Sequence, residues 1–276
     1  MKQEIIIKTL ICCFAFATPA FTDDFDLCRK NYEEEKFKEA LEFCRNACDG
    51  DHPDACYSLG GFFSYGIGTA PDDAEAVRYF EKACSLGNEK ACCGAGMLYQ
   101  MGKGTAKNHD QAKKFYEQSC KLNFGDGCAY LAHLYIKGTG AEKNLSVARE
   151  FLEKGCRLDS GSACSTLGMF YEKGLDMNID YAFARNYYEK SCGLDYSSGC
   201  TSLGNFYRNG VSGIKQDLQK ALVYYEKSCS LNDASGCYNA GLLLVNGDGI
   251  EDDSEKAQKY FDKSCSLGKS EICRTK

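Results

Sequence analysis

Cysteine is the residue with the most capacity for chemistry here: the 276-residue chain carries 19 of them. Fourteen fall in pairs, at 48/56, 84/92, 120/128, 156/164, 192/200, 229/237 and 265/273, with partners eight apart. Zinc sites favour two to four residues between neighbouring ligands, so this spacing argues against metal. There is no C-x-x-C for thiol exchange, and Cys44 and Cys48 read as members of two different bridges. Hydrolytic chemistry has little to stand on. S-x-x-K occurs at Ser212/Lys215 and Ser266/Lys269, without the S-D-N and K-T-G that complete a serine β-lactamase site. His52, His109 and His133 occupy unrelated positions in the cysteine register, and neither H-E-x-x-H nor a phosphate loop is present. The cysteines are therefore structural, no cofactor or metal is expected, and no catalytic residue can be named.

Bridges need elements that hold them at fixed positions. Successive cysteine pairs are 36 residues apart, with one interval of 37 whose extra residue falls between Tyr207 and Ala221. The surrounding residues repeat as well. Leu59-Gly60-x-x-Phe63 returns as Leu167-Gly168-x-x-Tyr171 and Leu203-Gly204-x-x-Tyr207, with looser versions from Ala95 and Leu131. A Gly-containing turn follows, such as Gly66-x-Gly68 or Gly102-x-Gly104. Then comes an Ala at a fixed offset, at 76, 112, 148, 184, 221 and 257. The unit closes on an aromatic, acidic, Lys and Cys run, as in Tyr79 to Cys84. Apolar residues at i, i+3, i+4 and i+7 in both halves give a helical hairpin, helix A then helix B. A lone hairpin cannot bury its apolar face, so the hairpins must stack. The Leu, Tyr and Phe are core residues on this reading rather than a cofactor box.

These residues resemble the Sel-one-like repeat, a relative of the tetratricopeptide repeat, from about Phe25 to Cys273. The A-C-x6-A/G-C joint narrows the resemblance to the Helicobacter cysteine-rich proteins, a secreted bacterial family. A mitochondrial cysteine-rich assembly factor shares the repeat style. The expected fold is all-α, a right-handed α/α solenoid of antiparallel hairpins stapled by one disulfide per repeat. The first unit departs from the pattern: Tyr32-x3-Lys36-Phe37-x2-Ala40 has the shorter turn of a plain tetratricopeptide hairpin. The domain reading is 1–20 leader, 21–48 an N-terminal hairpin, and 49–276 six repeats with a truncated C-terminal cap. The family's penicillin-binding and β-lactamase attribution implies a hydrolase alternative and a β-lactam as ligand, although no catalytic motif is available to carry over.

Pairing follows from the ends of the array. The end of helix B lies near two helix starts, its own helix A and the next one. Bridging 56/84 and 92/120 would strand Cys48 and Cys273, whereas bridging eight apart strands none. Cys28, four before Tyr32, and Cys44, four after Ala40, face each other across the first hairpin and form the eighth bridge. Cys93 is left as a free thiol, which in an exported protein invites intermolecular pairing or else sits as a quiet, semi-buried group. A thiol-dependent assembly factor is the reading that would use it.

Such cysteine density means a disulfide scaffold only in an oxidising compartment. Two lysines in Met1 to Lys8, the apolar run Thr9 to Ala17 and the small residues Ala17, Thr18 and Ala20 read as a secretory leader, cut after Ala20 or Ala17. The run is too short for a membrane span. Cys12 and Cys13 would leave with the leader, which also removes one net positive charge from a chain at −6. Without a basic stripe, nucleic acid is not an expected partner. The expected location is periplasmic or secreted, with no membrane association after cleavage.

What remains is a surface for binding. Helix A lines the concave side of a tetratricopeptide-like array, and its groove positions fall one, five, eight and nine residues after each helix-A cysteine. Those positions give Tyr57, Gly61, Ser64 and Tyr65, then Met97, Gln100 and Met101, then His133, Ile136 and Lys137. Met169, Glu172 and Lys173 follow, then Asn205, Arg208 and Asn209, then Tyr238 and Asn246. Asn pairs with backbone amides, Arg meets carboxylates and Met adapts its shape. The sequence thus points to an exported binding module for a peptide, protein or peptidoglycan-like cell-wall fragment.

Overall fold

The computed structural model describes residues 23–211, 213, 215–246 and 253–268. The expected leader, Cys12, Cys13 and Cys273 lie outside them. Fourteen helices and no strand occur among the described residues. The helices of odd number, the A helices, are α1 (Asp24–Glu33), α3 (Pro53–Tyr65), α5 (Glu89–Met101), α7 (Gly125–Lys137), α9 (Gly161–Lys173), α11 (Ser197–Asn209) and α13 (Ala234–Asn246). The even-numbered B helices are α2 (Phe37–Asp49), α4 (Asp73–Ser85), α6 (His109–Lys121), α8 (Leu145–Arg157), α10 (Tyr181–Gly193), α12 (Leu218–Ser230) and α14 (Ser254–Ser266). Packing is most extensive within each A/B hairpin, and next between a B helix and the A helix after it. Successive A helices from α3 to α13 also touch each other, a contact not matched between successive B helices. An array in which one helix set is drawn closer together curves toward that set, so the A helices form the inner side.

Local chemistry sets the boundaries. Asp or Asn caps the start of each B helix from α4 to α14, and Asp72 Oδ1 accepts from the amides of Ala74 and Glu75 at 3.0 and 3.1 Å. A glycine in the left-handed region ends α3, α5, α7, α9 and α11. Gly104, two residues beyond Gly102, needs its φ of 67° and also lies against the Asp73 backbone, where any side chain would collide. Gly68 and Gly140 lie in the same way against Phe37 and His109, so these three A–B turns dock onto the preceding B helix.

The hairpins close through a glycine–aromatic contact. Gly60, Gly96, Gly168, Gly204 and Gly241 each face a ring from the B helix, namely Phe80, Tyr116, Tyr188, Tyr225 and Phe261. A Cβ on Gly168 would stand 2.7 Å from the Tyr188 ring. In the remaining full hairpin the same two places hold Ala132 and Leu152, both buried, so a methyl group appears where the ring has gone. The first hairpin replaces the contact by the Cys28–Cys44 bridge. Tyr116, Tyr188 and Tyr225 each donate their hydroxyl back to helix A, to Gln100, Glu172 and Asn205, at 2.6 to 2.7 Å.

The other bridges staple the joints between hairpins. Cys48–Cys56, Cys84–Cys92, Cys120–Cys128, Cys156–Cys164, Cys192–Cys200 and Cys229–Cys237 have Cα separations of 4.4 to 4.7 Å. Cys265 is also disulfide-bonded, while the Cys265–Cys273 pairing expected from the sequence involves a residue outside the described ones. Buried Ser119, Ser191, Ser228 and Ser264 donate to carbonyls of helix A at 2.7 to 3.1 Å beside three of these joints and the last helix. Lysines add a second tie: Lys82, Lys154, Lys190, Lys227 and Lys263 donate to the carbonyl of the preceding B-helix cysteine at 2.7 to 2.8 Å.

Candidate functional site

A cavity of about 570 Å³ opens on the A-helix face between α3, α5 and α7. Tyr57, Gly61, Ser64 and Tyr65 line it from α3, and Cys93, Gly94, Met97, Leu98 and Met101 from α5. Phe80 closes the floor from α4, with Phe124 and Tyr130 from the next hairpin, and Asp73, Lys90, Lys103 and Asp126 add charge. The positions one, five and nine after the helix-A cysteine thus face one space in two successive repeats. Repeat symmetry carries the same line along the array to His133 and Lys137, to Met169 and Lys173, and to Asn205 and Asn209.

The cavity has a buried floor and an open mouth. Tyr65 and Met101 are 51% and 50% exposed, while Cys93 is 5% exposed. Burial pushes Tyr57, Cys93 and Tyr130 each up to about 12, so all three stay neutral. Together with Met97 and Phe80 these neutral groups suit an apolar or aromatic side chain, with the charges of Asp73, Lys90, Lys103 and Asp126 beside it. Of the two readings for Cys93, the burial favours the quiet thiol over intermolecular pairing, since the reactive thiolate is suppressed and shielded.

Sequence reading placed Tyr57, Tyr65, Met97 and Met101 on the groove, and the structure brings these four together at the cavity. Gly61 and Ser64 of the same groove register line it too, whereas Gln100 and the groove residues from His133 onward are not part of it. Asn205 accepts from the Tyr225 hydroxyl at 2.7 Å, and Arg208 Nε donates to Asn209 Oδ1 at 3.3 Å. His133 is partly buried on α7, and desolvation, then the Lys137 charge, lowers its pKa. The Asn246 side chain lies outside the described residues. Cys93, Phe124 and Tyr130 were missed as lining residues. The signal for Tyr130 was its place two after Cys128, the same register as Gly94.

The chemical alternatives gain no geometry. Ser212 and Lys269, one from each S-x-x-K, lie outside the described residues, and Ser266 Oγ donates to its own helix at the Lys263 carbonyl, 2.7 Å away. His52 accepts from the Ala55 amide at the start of α3. No group of three or more His, Cys, Asp or Glu side chains suited to a metal occurs among the described residues, and no described helix is long and apolar enough to cross a membrane.

A family model described as the Sel1 repeat matches six consecutive segments, 53–88, 89–124, 125–160, 161–196, 197–233 and 234–269. The chain belongs to the Sel1 repeat family. The 37-residue Sel1 unit is 197–233, which contains the extra residue noted in the sequence. No curated protein matches the chain in sequence. A solved Sel1 repeat protein from Oxalobacter formigenes is 23% identical, with a TM-score of 0.76 over 88% of this chain and 97% of its own. The structure of c5321, a protective antigen present in uropathogenic Escherichia coli strains, is 22% identical, with a TM-score of 0.64 over 90% of this chain and 62% of its own. At these identities the likeness is one of fold. Helicobacter pylori cysteine rich protein B is 33% identical, covering 48% of this chain and 93% of its own with a TM-score of 0.40.

Proposed function

We propose that this Sel1 repeat protein is an exported binding module that takes an extended polypeptide along its A-helix face. The observation that carries the reading is the cavity between α3, α5 and α7, where exposed Tyr65 and Met101 flank a lining that includes the buried, neutral Cys93 and Phe80. Amphipathic aromatic and thioether side chains of this kind are common anchors for partner side chains. Sel1 repeat proteins generally act as protein-interaction modules, and helical arrays present a continuous inner face for an extended partner. Export is supported by the seven described bridges, which require an oxidising compartment, together with the leader-like start of the sequence.

The test is peptide display against the oxidised protein, followed by rebinding of enriched sequences to two variants. Met97→Arg puts a charge into the cavity, whereas Val223→Arg changes an exposed position on the outer face of α12. Enriched peptides should lose Met97→Arg and retain Val223→Arg. Failure to enrich any peptide, or binding lost only in Val223→Arg, contradicts the proposal.

A further inference from the structure

Beyond the cavity, the inner face changes character. The groove positions of α7, α9 and α11 hold Lys137, Lys173 and Arg208, each in the last turn of its helix. Twelve other Lys and Arg side chains form ion pairs, but these three form none among the described residues. The one carboxylate in this stretch of groove positions, Glu172, is engaged by the Tyr188 hydroxyl at 2.6 Å. Cations in a last turn also complement the helix dipole. The B helices show what an internal use looks like, since Lys154, Lys190 and Lys227 reach the carbonyl of the preceding B helix. Lys137 and Lys173 have no such contact, and Arg208 reaches only its neighbour Asn209. In a chain of net charge −6, this stretch of the inner face therefore carries three cations with no ion-pair partner among the described residues against one carboxylate, Glu172, beside a cavity whose lining charges balance.

The geometry points to an acidic polypeptide as the occupant, with one aromatic side chain in the cavity and carboxylates along Lys137, Lys173 and Arg208. This rests on the reading of the A-helix face as a polypeptide site and commits it to one partner chemistry. The spacing is consistent. Packed helices lie ~8–10 Å apart and an extended chain advances ~3.3–3.6 Å per residue, so each repeat is spanned by about three residues. An acidic residue at about every third place after the aromatic anchor meets one cation per repeat. The neutral Tyr57, Cys93 and Tyr130 favour the aromatic side chain in the cavity, where the lining charges of Lys90 and Lys103 are balanced by Asp73 and Asp126, and this sets the register.

Fluorescence anisotropy on the oxidised protein tests this. The probes are labelled peptides of about twelve residues with one Phe and a Glu at each third place beyond it, made in both chain directions. Controls replace Glu by Gln, Glu by Lys, or Phe by Ala. The Glu peptide should bind at least about tenfold tighter than the Gln peptide at low salt, with the gap closing as salt rises. The triple variant Lys137→Ala, Lys173→Ala, Arg208→Ala should erase the gap and leave the Gln peptide unaffected. Equal affinity of the Glu and Gln peptides, a preference for the Lys peptide, or a gap that survives the triple variant overturns the acidic specificity. If the Phe-to-Ala control still loses binding in those cases, the cavity reading stands. If no peptide binds, both fall.

Discussion

The two halves of the inner face are built from one repeat and end in different chemistry. In α3 and α5 the positions five and nine after the cysteine are Gly61 and Tyr65, then Met97 and Met101. In α9 and α11 they are Met169 and Lys173, then Asn205 and Asn209. Beneath them nothing comparable changes: Gly96 faces Tyr116 as Gly168 faces Tyr188, and Cys84–Cys92 matches Cys156–Cys164. The scaffold holds backbone geometry constant, so a few groove side chains decide whether a stretch is an apolar cavity or a cationic row. The cavity owes its volume partly to absence, because Gly61 and Gly94 stand where other repeats hold Met97, His133 or Tyr130.

The comparison assumes a common scaffold, and removing it has the largest expected effect. Closing a loop of about nine residues contributes ~2–3 kcal/mol per bridge by restricting the unfolded chain. Reduction should therefore lower the melting temperature sharply, read by circular dichroism with and without reductant. A Cys84→Ala/Cys92→Ala pair and a Cys156→Ala/Cys164→Ala pair should cost similar amounts, ~2–3 kcal/mol each. An unchanged reduced protein would mean the staples are not structural. The second effect concerns the face itself. Met97→Arg should weaken any peptide ligand by ~2–4 kcal/mol, and Arg208→Ala with Asn205→Ala by ~1–2 kcal/mol, with melting temperatures nearly intact. A reversed order would move the main anchor to the cationic half.

Within the hairpins, Gly168→Ala should cost ~1–3 kcal/mol, because the new methyl overlaps the Tyr188 ring. Adding Tyr188→Leu imitates the Ala132/Leu152 pair. A double variant less destabilised than the sum of the single ones would establish that the two arrangements are interchangeable. Chemical denaturation of the four proteins closes the cycle.

The smallest effect separates Cys93 from the bridged cysteines. Its thiol is raised from 9.0 to about 12 by burial. The folded state then holds a proton that the unfolded state releases, so this contribution is full below pH 9 and is lost as pH rises toward about 12. A thiol reagent at pH 8 should modify the native protein far more slowly than the unfolded one. Rapid native modification would contradict the buried placement, and a peptide ligand that failed to slow it further would place that ligand away from the cavity.

The fold was legible because its determinants are covalent or short-range. The cysteine register determines which helices meet, and the Gly-aromatic spacing determines how closely. The Ala132/Leu152 exchange was visible only as a degenerate motif, since its meaning depends on seeing both places filled together. For the site, the groove register placed Tyr57, Tyr65, Met97 and Met101 on one side. It did not reveal an enclosed volume, which depends on curvature and on Phe124 and Tyr130 arriving from the neighbouring hairpin. In the sequence Cys93 was only a thiol off the bridging register, open both to intermolecular pairing and to a quiet semi-buried place. The close approach of α3, α5 and α7 buries it.

Photo-crosslinking tests the central claim most directly. A benzophenone replaces the Phe of the acidic peptide, the complex with the oxidised protein is irradiated, and the adduct is mapped by peptide mass spectrometry. The account predicts adducts within Tyr57–Tyr65 or Gly94–Met101, competed by unlabelled peptide and absent from Met97→Arg. Adducts concentrated instead on the outer B helices, around Val223 of α12 for example, would contradict it.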